Sequence, residues 1–450
     1  METPENYSQP SFWQSNTLKM FLVGILALVL LIPLDFVQSL IYERSQRQDE
    51  VIEETREKWG ENVYFYGPIL KVPYNTYTES VTINQKTKVA TTQRIMRTEF
   101  AYFFPDQLKN ETKVTTTKLN RSNYESVVFN ADMQFSGNYI KPDFSSKNIA
   151  DADIQWEKAT IVIKTTNLKS IRNEVKIKLG NTVYNFGSVY SADNAENIES
   201  LETGYINGGL FANPATVPFS FSVVYDGSEE VKVVPIGKTT EMHMVSNWHS
   251  PSFTGNFLPS DTTKKISPTG FNADWKVLHI NRPFSQQSFK VLPNLTEYAF
   301  GVDFIIPVNQ YQQNERAAKY GFLVIGLTFL VFFLIQTISK IRIHIFQYAM
   351  IGLALIMFYT LLISITEHSS FLTAYLSAGS SVVAMISLYS LSILRQRKFS
   401  FFIGTSLIVL YSFIYVIIQL ENYALLFGSI GLFLILGAVM YFSRKIDWQS

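Results

Sequence analysis

The last 131 residues of the chain carry too little charge to form the surface of a water-soluble domain. Residues 320–450 contain seven Lys and Arg and three Asp and Glu, whereas about a quarter of the residues in an ordinary soluble domain are charged. Residues 343–394 and 399–443 contain no Lys or Arg at all. We therefore expect this part of the chain to lie in lipid.

Six stretches are apolar over the length that a helix needs to cross a bilayer, about 20 residues. They are predicted at about residues 19–41, 320–339, 345–365, 371–394, 399–420 and 423–442. Each is apolar all round rather than on one stripe, which favours lipid over a soluble helical bundle. The first stretch resembles a signal peptide in position, but residues 36–42 offer no cleavage site of small residues, so we expect an uncleaved anchor.

The short turns between the predicted spans indicate the orientation, because Lys and Arg of such turns stay on the cytoplasmic side. All seven basic residues of this region follow the second, fourth or sixth span: Lys340, Arg342, Arg395, Arg397, Lys398, Arg444 and Lys445. The turns at residues 366–370 and 419–422 contain none. The pattern predicts cytoplasmic tails at residues 1–18 and 443–450, with residues 42–319 on the outer side.

Residues 42–319 have the composition of a domain in water, with 30 Lys and Arg against 31 Asp and Glu. Residues 44–59 are predicted to be a charged helix that ends at Gly60. Further on, apolar residues alternate with more polar ones, as at Val127, Phe129 and Ala131, and this period of two is typical of strands with one buried face. We expect a large antiparallel, β-rich, sandwich-like domain.

Four segments between the predicted strands carry turn signals. They are Ser136-Gly137-Asn138, Gly180-Asn181, Asp226-Gly227 and Pro268-Thr269-Gly270. Asp226-Gly227 is a good candidate for a two-residue hairpin. Short turns between strands support antiparallel pairing.

The sequence gives no support for a catalytic, cofactor or metal site. Cys is absent, which excludes thiolate chemistry and Cys-based metal sites, and no phosphate loop, H-E-x-x-H or G-x-S-x-G motif occurs. The net charge of +1 argues against nucleic-acid binding. We expect a protein that is not an enzyme and has no cofactor, whose first partner is the lipid bilayer.

One group of ionisable residues is a candidate functional cluster. Glu367 and His368 fall in the turn between the third and fourth spans, and ionisable groups near a membrane interior are costly and often functional. Asp35 lies near the outer end of the first span, where it can reach the interface or pair with Arg316. The alternative interpretation is that these groups are solvated by water and lipid headgroups.

Several stretches, taken together, resemble the CreD family of bacterial inner-membrane proteins. They include LIPLDFVQSLIYERSQRQDEVIEETREKWG at residues 31–60, GPILKVPY at 67–74, WHSPSFTGNFLPS at 248–260 and ISPTGFNADWKVLHINR at 266–282. The run that begins GVDFIIPVNQYQQNERAAKYGF at residue 301, the run IFQYAMIGLALIMFYTLLISITEHSSFLTAYL and the ending ENYALLFGSIGLFLILGAVMYFSRKIDW are similar again. The resemblance covers both ends and most of the chain.

The resemblance implies an inner-membrane protein whose β-rich domain lies in the periplasm. It also implies a link to cell-envelope integrity and to the regulon of a two-component system that responds to envelope or antibiotic stress. No catalytic residue comes with it. The first hypothesis is therefore non-catalytic binding of an envelope component or a membrane protein. The second is a small-solute or ion transporter on the five C-terminal spans, and a periplasmic hydrolase comes last.

Overall fold

The computed structural model describes residues 16–83, 90–121, 124–189, 198–212, 216–304, 310–339, 341, 343–394, 396–420 and 423–444. The chain divides into two compact units. Met1–Glu50 and Val308–Ser450 form the helical unit, and Val51–Pro307 form the β-rich unit. Four of the basic residues used to predict the orientation, Lys340, Arg342, Arg395 and Lys445, lie outside the described residues, as does most of each predicted tail.

Six helices in the described part of the chain are long and apolar enough to cross a membrane. The helices are α1 (Asn16–Val29), α2 (Leu31–Trp59), α3 (Gly209–Ala212, in the β-rich unit), α4 (Gln310–Lys319), α5 (Gly321–Ser339), α6 (Ile345–Thr366), α7 (Phe371–Leu394), α8 (Arg397–Gln419) and α9 (Ala424–Ser443). α1 and α2 together form the first candidate span. The predicted charged helix is the second half of α2, and it ends at Trp59, directly before Gly60.

Pro33 explains the break between α1 and α2 at Leu30. A proline has no N–H to donate, and its ring clashes with the carbonyl four residues earlier, here that of Val29. It is tolerated in the first turn of a helix, and Pro33 is the third residue of α2. The helical path therefore restarts at Leu31.

Helices α6, α7 and α8 meet around the ring of Phe358. Its centroid lies 5.2 Å from that of Tyr375 on α7 and 4.6 Å from that of Tyr411 on α8. The Tyr375 hydroxyl donates to the backbone oxygen of Tyr411 at 2.9 Å. Ala374 and Ala378 on α7 are completely buried, since small side chains let membrane helices approach closely.

The strands of the β-rich unit form one continuous hydrogen-bonded sheet. They are β1 (Val63–Ile83), β2 (Ala90–Phe103), β3 (Gln107–Arg121), β4 (Tyr124–Tyr139), β5 (Thr160–Thr166), β6 (Lys176–Leu179), β7 (Thr182–Val189), β8 (Ile198–Thr203), β9 (Val217–Ser228), β10 (Glu230–Val233), β11 (Thr239–Ser246), β12 (Ser252–Gly255), β13 (Lys265–Ser267), β14 (Gly270–Leu278), β15 (Gln287–Phe289) and β16 (Phe300–Asp303). Most pairs are antiparallel, whereas β1 with β10 and β3 with β11 are parallel.

The sheet folds over so that its two halves face each other. The order is β12-β16-β10-β1-β5-β8-β7-β6-β9-β4-β3-β11-β14-β13, with β2 on β1 and β15 on β2. Phe65 of β1 stacks on Phe135 of β4 at 4.3 Å, and Phe135 stacks on Phe221 of β9 at 4.8 Å. Because each buried aromatic side chain is worth about 1.5–3 kcal/mol, this shared core holds the halves together. The predicted fold class, an anchor helix, a β-rich domain and five C-terminal helices, is confirmed.

Two of the four predicted turns are correct. Gly180-Asn181 joins β6 to β7, and Gly180 has a φ of 57°, a left-handed conformation that glycine adopts without strain. Pro268-Thr269 joins β13 to β14.

The other two predicted turns are wrong, because their residues lie inside strands. Asp226 and Gly227 belong to β9 and pair with β4, and Ser136-Gly137-Asn138 belongs to β4. A Cβ on Gly227 would lie 2.7 Å from ring atoms of Phe129, and one on Gly137 would lie 1.9 Å from the Gln107 oxygen. Both glycines therefore mark close packing inside a strand.

Candidate functional site

Glu367 follows the last residue of α6, and its N–H donates to the Ile363 oxygen at 3.1 Å. Its side chain is only 18% exposed, and Oε1 lies 3.6 Å from Nε of Arg44 on α2. This distance exceeds that of an ordinary N–H···O bond, so the attraction is electrostatic. A carboxylate at a helix C-terminus opposes the helix dipole, and the Arg44 guanidinium offsets that cost.

Arg44 was predicted only as part of a charged, solvated helix, yet it continues an apolar stripe. Leu34, Val37 and Ile41 of the same helix are all buried in the helical unit. Their spacings of three and four residues place them on one face, and Arg44 is the next position along it. This spacing was the signal in the sequence that could have identified Arg44.

A second link, formed by Asn314 and Thr366, joins α4 to the same end of α6. Asn314 is completely buried, and its Nδ2 donates to the Gln310 oxygen at 2.9 Å. Its Oδ1 lies 3.4 Å from the Thr366 hydroxyl oxygen, which also donates to the Leu362 oxygen at 2.6 Å. Sequence analysis did not identify Asn314, although a buried face at Tyr311, Asn314 and Ala318 follows helical spacing.

Among the hydrogen bonds and ion pairs of the described residues, none joins Glu367 to the other three predicted site residues. His368 is exposed in the turn after α6, and Asp35 is exposed on α2. Arg316 is half-buried on α4. Among the ion pairs of the described residues, Asp35 and Arg316 do not form one with each other.

The chemistry available at this end of the helical unit is electrostatic. The described residues contain no group of three or more His, Cys, Asp or Glu side chains that could hold a metal ion. The Arg44–Glu367 pair and the Asn314–Thr366 contact tie α2 and α4 to the end of α6. The arrangement can fix helix ends and present a charge.

The β-rich unit offers a different kind of candidate surface, the β1–β2 arm. We define the arm as residues 76–83 of β1 paired with residues 90–97 of β2. β15 pairs only with residues 101–103 of β2, so in the described part of the chain the arm is two strands wide. Tyr77, Ile95 and Met96 of the arm are 41%, 43% and 59% exposed.

The base of the arm is held by Tyr77. Its hydroxyl donates to Oδ1 of Asp153 at 2.7 Å, and the guanidinium carbon of Arg94 lies 3.7 Å from the centroid of its ring. The hydrogen bond to the Asp153 carboxylate raises the pKa of the Tyr77 hydroxyl, so this group stays a donor. The arm therefore has a defined orientation, while Ile95 and Met96 stay exposed and no strand of the described residues pairs with its edges.

One further polar pair lies on the exposed face of the sheet. His243 of β11 and Asp274 of β14 are directly opposite in the register, and Nδ1 lies 2.6 Å from Oδ1. The hydrogen bond from His243 lowers the pKa of the Asp274 carboxyl group. His243 lies on the surface and is half exposed.

Together, the six apolar helices and the separate β-rich unit define a multi-pass membrane protein with a large domain of sheet. The family described as "Inner membrane protein CreD" matches residues 15–449. The chain therefore belongs to the CreD family of inner-membrane proteins. It is similar to "Inner membrane protein CreD" of Escherichia coli (strain K12), with 27% identity over 452 residues, which cover 98% of this chain and 94% of that protein.

Proposed function

We propose that the protein supports the integrity of the bacterial cell envelope through non-catalytic binding by its β-rich unit, which faces the periplasm. The N- and C-termini are then cytoplasmic. The basic turns between the spans and the resemblance to CreD proteins support this orientation. The same resemblance supports a role in the response to envelope or antibiotic stress.

The observation that carries the proposal is the open β1–β2 arm. Within the described part of the chain both edges of the arm lack a neighbouring strand and offer backbone N–H and C=O groups, and an extended peptide can add to such an edge as a further strand. Residues 76–98 contain Lys86, Lys88, Arg94 and Arg97 against the single acid Glu79. The partner that fits this charge is an envelope protein with an acidic extended segment.

Site-specific photocrosslinking in cells tests this binding. A crosslinker at Met96, which is 59% exposed on the arm, is expected to trap one defined protein. A crosslinker at Val183 of β7, which is 56% exposed, serves as the control and is expected to trap none. The double variant Arg94→Glu/Arg97→Glu is expected to abolish the crosslink and to reproduce the envelope defect of the deletion strain under stress.

The proposal fails if the arm variant complements the deletion fully, or if the Met96 crosslink survives the charge reversal. A crosslink to glycan alone would also contradict it, because the occupant would then not be a peptide strand.

Transport through the helical unit is the second candidate function. Among the described residues, the buried hydroxyl groups of Thr328, Tyr359 and Tyr411 have no hydrogen-bond partner, and polar groups inside a membrane protein often line a solute path. Proteoliposome flux tests it. A flux in the wild type that is lost in Tyr359→Phe and in Glu367→Ala, and kept in the arm variant, would favour transport over binding.

A further inference from the structure

A small cleft between α2 and α4 lies where the apolar first part of α2 ends and directly before the apolar helix α5 begins. Its volume is about 290 Å³. Its lining residues are Gln38, Ser39, Ile41 and Tyr42 of α2 and Glu315, Ala318 and Lys319 of α4. Both helix segments belong to the helical unit.

The floor of the cleft is apolar and rigid. Ile41 is 1% exposed and Ala318 is completely buried. Nε2 of Gln38 donates to the Ala318 oxygen at 3.0 Å and fixes the spacing of the two helices. Just beyond, a Cβ on Gly321 would lie 2.8 Å from the Leu34 side chain, so α2 and the start of α5 are in close contact.

The rim of the cleft is polar and carries one charge of each sign. Nζ of Lys319 lies 2.7 Å from Oε1 of Glu315, and these side chains are 64% and 45% exposed. Tyr42 is 60% exposed, and its hydroxyl accepts from Nε2 of Gln46 at 2.8 Å. Tyr and Lys side chains at the end of an apolar segment lie at the level of the lipid headgroups.

We infer that this cleft binds the headgroup of a zwitterionic phospholipid that carries a primary ammonium group, such as phosphatidylethanolamine. The Lys319 ammonium faces the phosphate, and the Glu315 carboxylate accepts from the lipid ammonium. The hydroxyl groups of Ser39 and Tyr42 supply further acceptors. The volume suits a headgroup, since clefts for whole drug-sized ligands start near 300 Å³.

The charge balance of the cleft selects among lipids. The charges of Lys319 and Glu315 sum to zero. The attraction of an anionic lipid to the Lys319 ammonium is therefore offset by its repulsion from the Glu315 carboxylate. The trimethylated ammonium of phosphatidylcholine has no N–H to donate to Glu315. The ammonium of phosphatidylethanolamine can donate, and such charge-assisted hydrogen bonds are about twice as strong as neutral ones. The inference goes beyond the proposed function, because it depends on neither the arm nor the orientation.

Lipid retention by the purified full-length protein tests the inference. After delipidation in detergent, native mass spectrometry measures binding of phosphatidylethanolamine, phosphatidylcholine and phosphatidylglycerol. We expect phosphatidylethanolamine to bind roughly tenfold more tightly than phosphatidylcholine, the effect of one charge-assisted hydrogen bond. Glu315→Gln is expected to remove this preference, and Lys319→Gln to weaken both lipids.

The matched control is Glu50→Gln on the same α2 helix. Glu50 also forms an ion pair, with Nη1 of Arg47 at 2.6 Å, but does not line the cleft. Glu50→Gln is expected to bind lipid like the wild type. Glu50→Gln, Glu315→Gln and Lys319→Gln are all expected to keep the wild-type melting temperature, because the substituted side chains are exposed.

Three results would overturn the inference. They are equal binding of the ethanolamine and choline lipids by the wild type, an unchanged preference in Glu315→Gln, and a loss of preference in Glu50→Gln as large as in Glu315→Gln. Tighter binding of glycerophosphoethanolamine than of the intact lipid would also overturn it, because the cleft would then be a site for a soluble ligand.

Discussion

The hydroxyl oxygen of Tyr225 lies 2.7 Å from Oγ1 of Thr165, and both residues are completely buried. Tyr225 belongs to β9 and Thr165 to β5, so the contact bridges the two halves of the folded sheet. Oγ1 of Thr165 also donates to the Tyr64 oxygen at 2.7 Å, which leaves the tyrosine as the donor in the pair. Burial raises the pKa of the Tyr225 hydroxyl, and it stays protonated.

Removal of this hydroxyl is expected to destabilise the β-rich unit. Tyr225→Phe should lower its free energy of unfolding by about 1–3 kcal/mol, because Thr165 loses a buried donor. Thermal unfolding of the full chain in detergent measures the change. Tyr205→Phe is the control, since Tyr205 is 68% exposed. Equal melting temperatures for Tyr225→Phe and the wild type would contradict the buried bridge.

A methyl group at Gly227 is expected to disturb the core between β9 and β1. The new Cβ would lie 2.7 Å from Phe129 ring atoms and 2.9 Å from Cγ2 of Val63, and such overpacking costs about 1–3 kcal/mol. Gly187→Ala in β7 is the matched control, because its nearest neighbour would be 4.0 Å away. Thermal unfolding should separate the two variants. A Gly227→Ala protein as stable as Gly187→Ala would show that β9 is not packed here.

The His243–Asp274 pair is expected to give a pH-dependent contribution to stability. The hydrogen bond lowers the pKa of Asp274 in the folded protein from its ordinary value of 3.8. A lowered carboxyl pKa stabilises the fold above 3.8, and this contribution is lost as the pH falls through the lowered value. Asp274→Asn should therefore be less stable than the wild type at neutral pH and match it in strong acid.

Melting temperatures measured across the acid range test this pair. Asp151→Asn, at an exposed position of the β-rich unit, is the control and should follow the wild-type curve. A constant gap between Asp274→Asn and the wild type at every pH would count against a titrating pair.

The Arg44–Glu367 contact is expected to show rescue by charge exchange. Glu367→Arg should destabilise the helical unit, because it places two cations together at the end of α6. Arg44→Glu/Glu367→Arg should restore the attraction, worth about 0–1 kcal/mol for a partly exposed pair. Arg47→Glu/Glu367→Arg, the mismatched double variant, should show no rescue. Thermal unfolding in detergent is the measurement, and equal results for the two double variants would rule out a specific contact.

Reporter fusions are expected to place the carboxyl end in the cytoplasm and the β-rich unit in the periplasm. A fluorescent protein that folds only in the cytoplasm should be active after residue 450. An alkaline phosphatase that folds only in the periplasm should be active when inserted beside Asp261, which is 89% exposed. Phosphatase activity at the carboxyl end would reverse the proposed orientation. The pair of fusions controls for expression, because both report on the same chain.

The helices were predicted closely from the sequence because lipid imposes a simple rule on them. A span must stay apolar for its whole length, so the ends at Ser339 and Leu394 follow from where polar residues begin. The charged second half of α2 was equally clear, since Gly60 ends it. The helical spacing that places Arg44 next to Leu34 and Ile41 was present in the sequence, but the partner of Arg44, Glu367 at the end of a distant helix, was not indicated by it.

The presence of a large β-rich domain was predicted from the sequence, but the pairing and register of its strands were not. Alternation identified β4 and β9 as strands, yet Gly137 and Gly227 were interpreted as turn residues. A glycine in a turn and a glycine under a neighbouring ring look the same in one sequence, because the ring comes from a distant strand. The same limit hid the β1–β2 arm. Its open edges depend on which strands pair with β1 and β2 among the described residues, and composition does not indicate that pairing.

Helix α9 has no buried residue among those described. Among the described side chains, only one stripe is half-covered, at Ala424, Gly428, Gly431, Ile435, Val439 and Ser443. The interior of the helical unit is formed by the other helices. The final span therefore adds lipid-facing apolar surface and few buried contacts. Apart from Gly431, where a Cβ would lie 2.1 Å from a ring atom of Phe413, its sequence can vary with few constraints beyond apolarity, and a tag or a second protein fused to it leaves the centre of the bundle undisturbed.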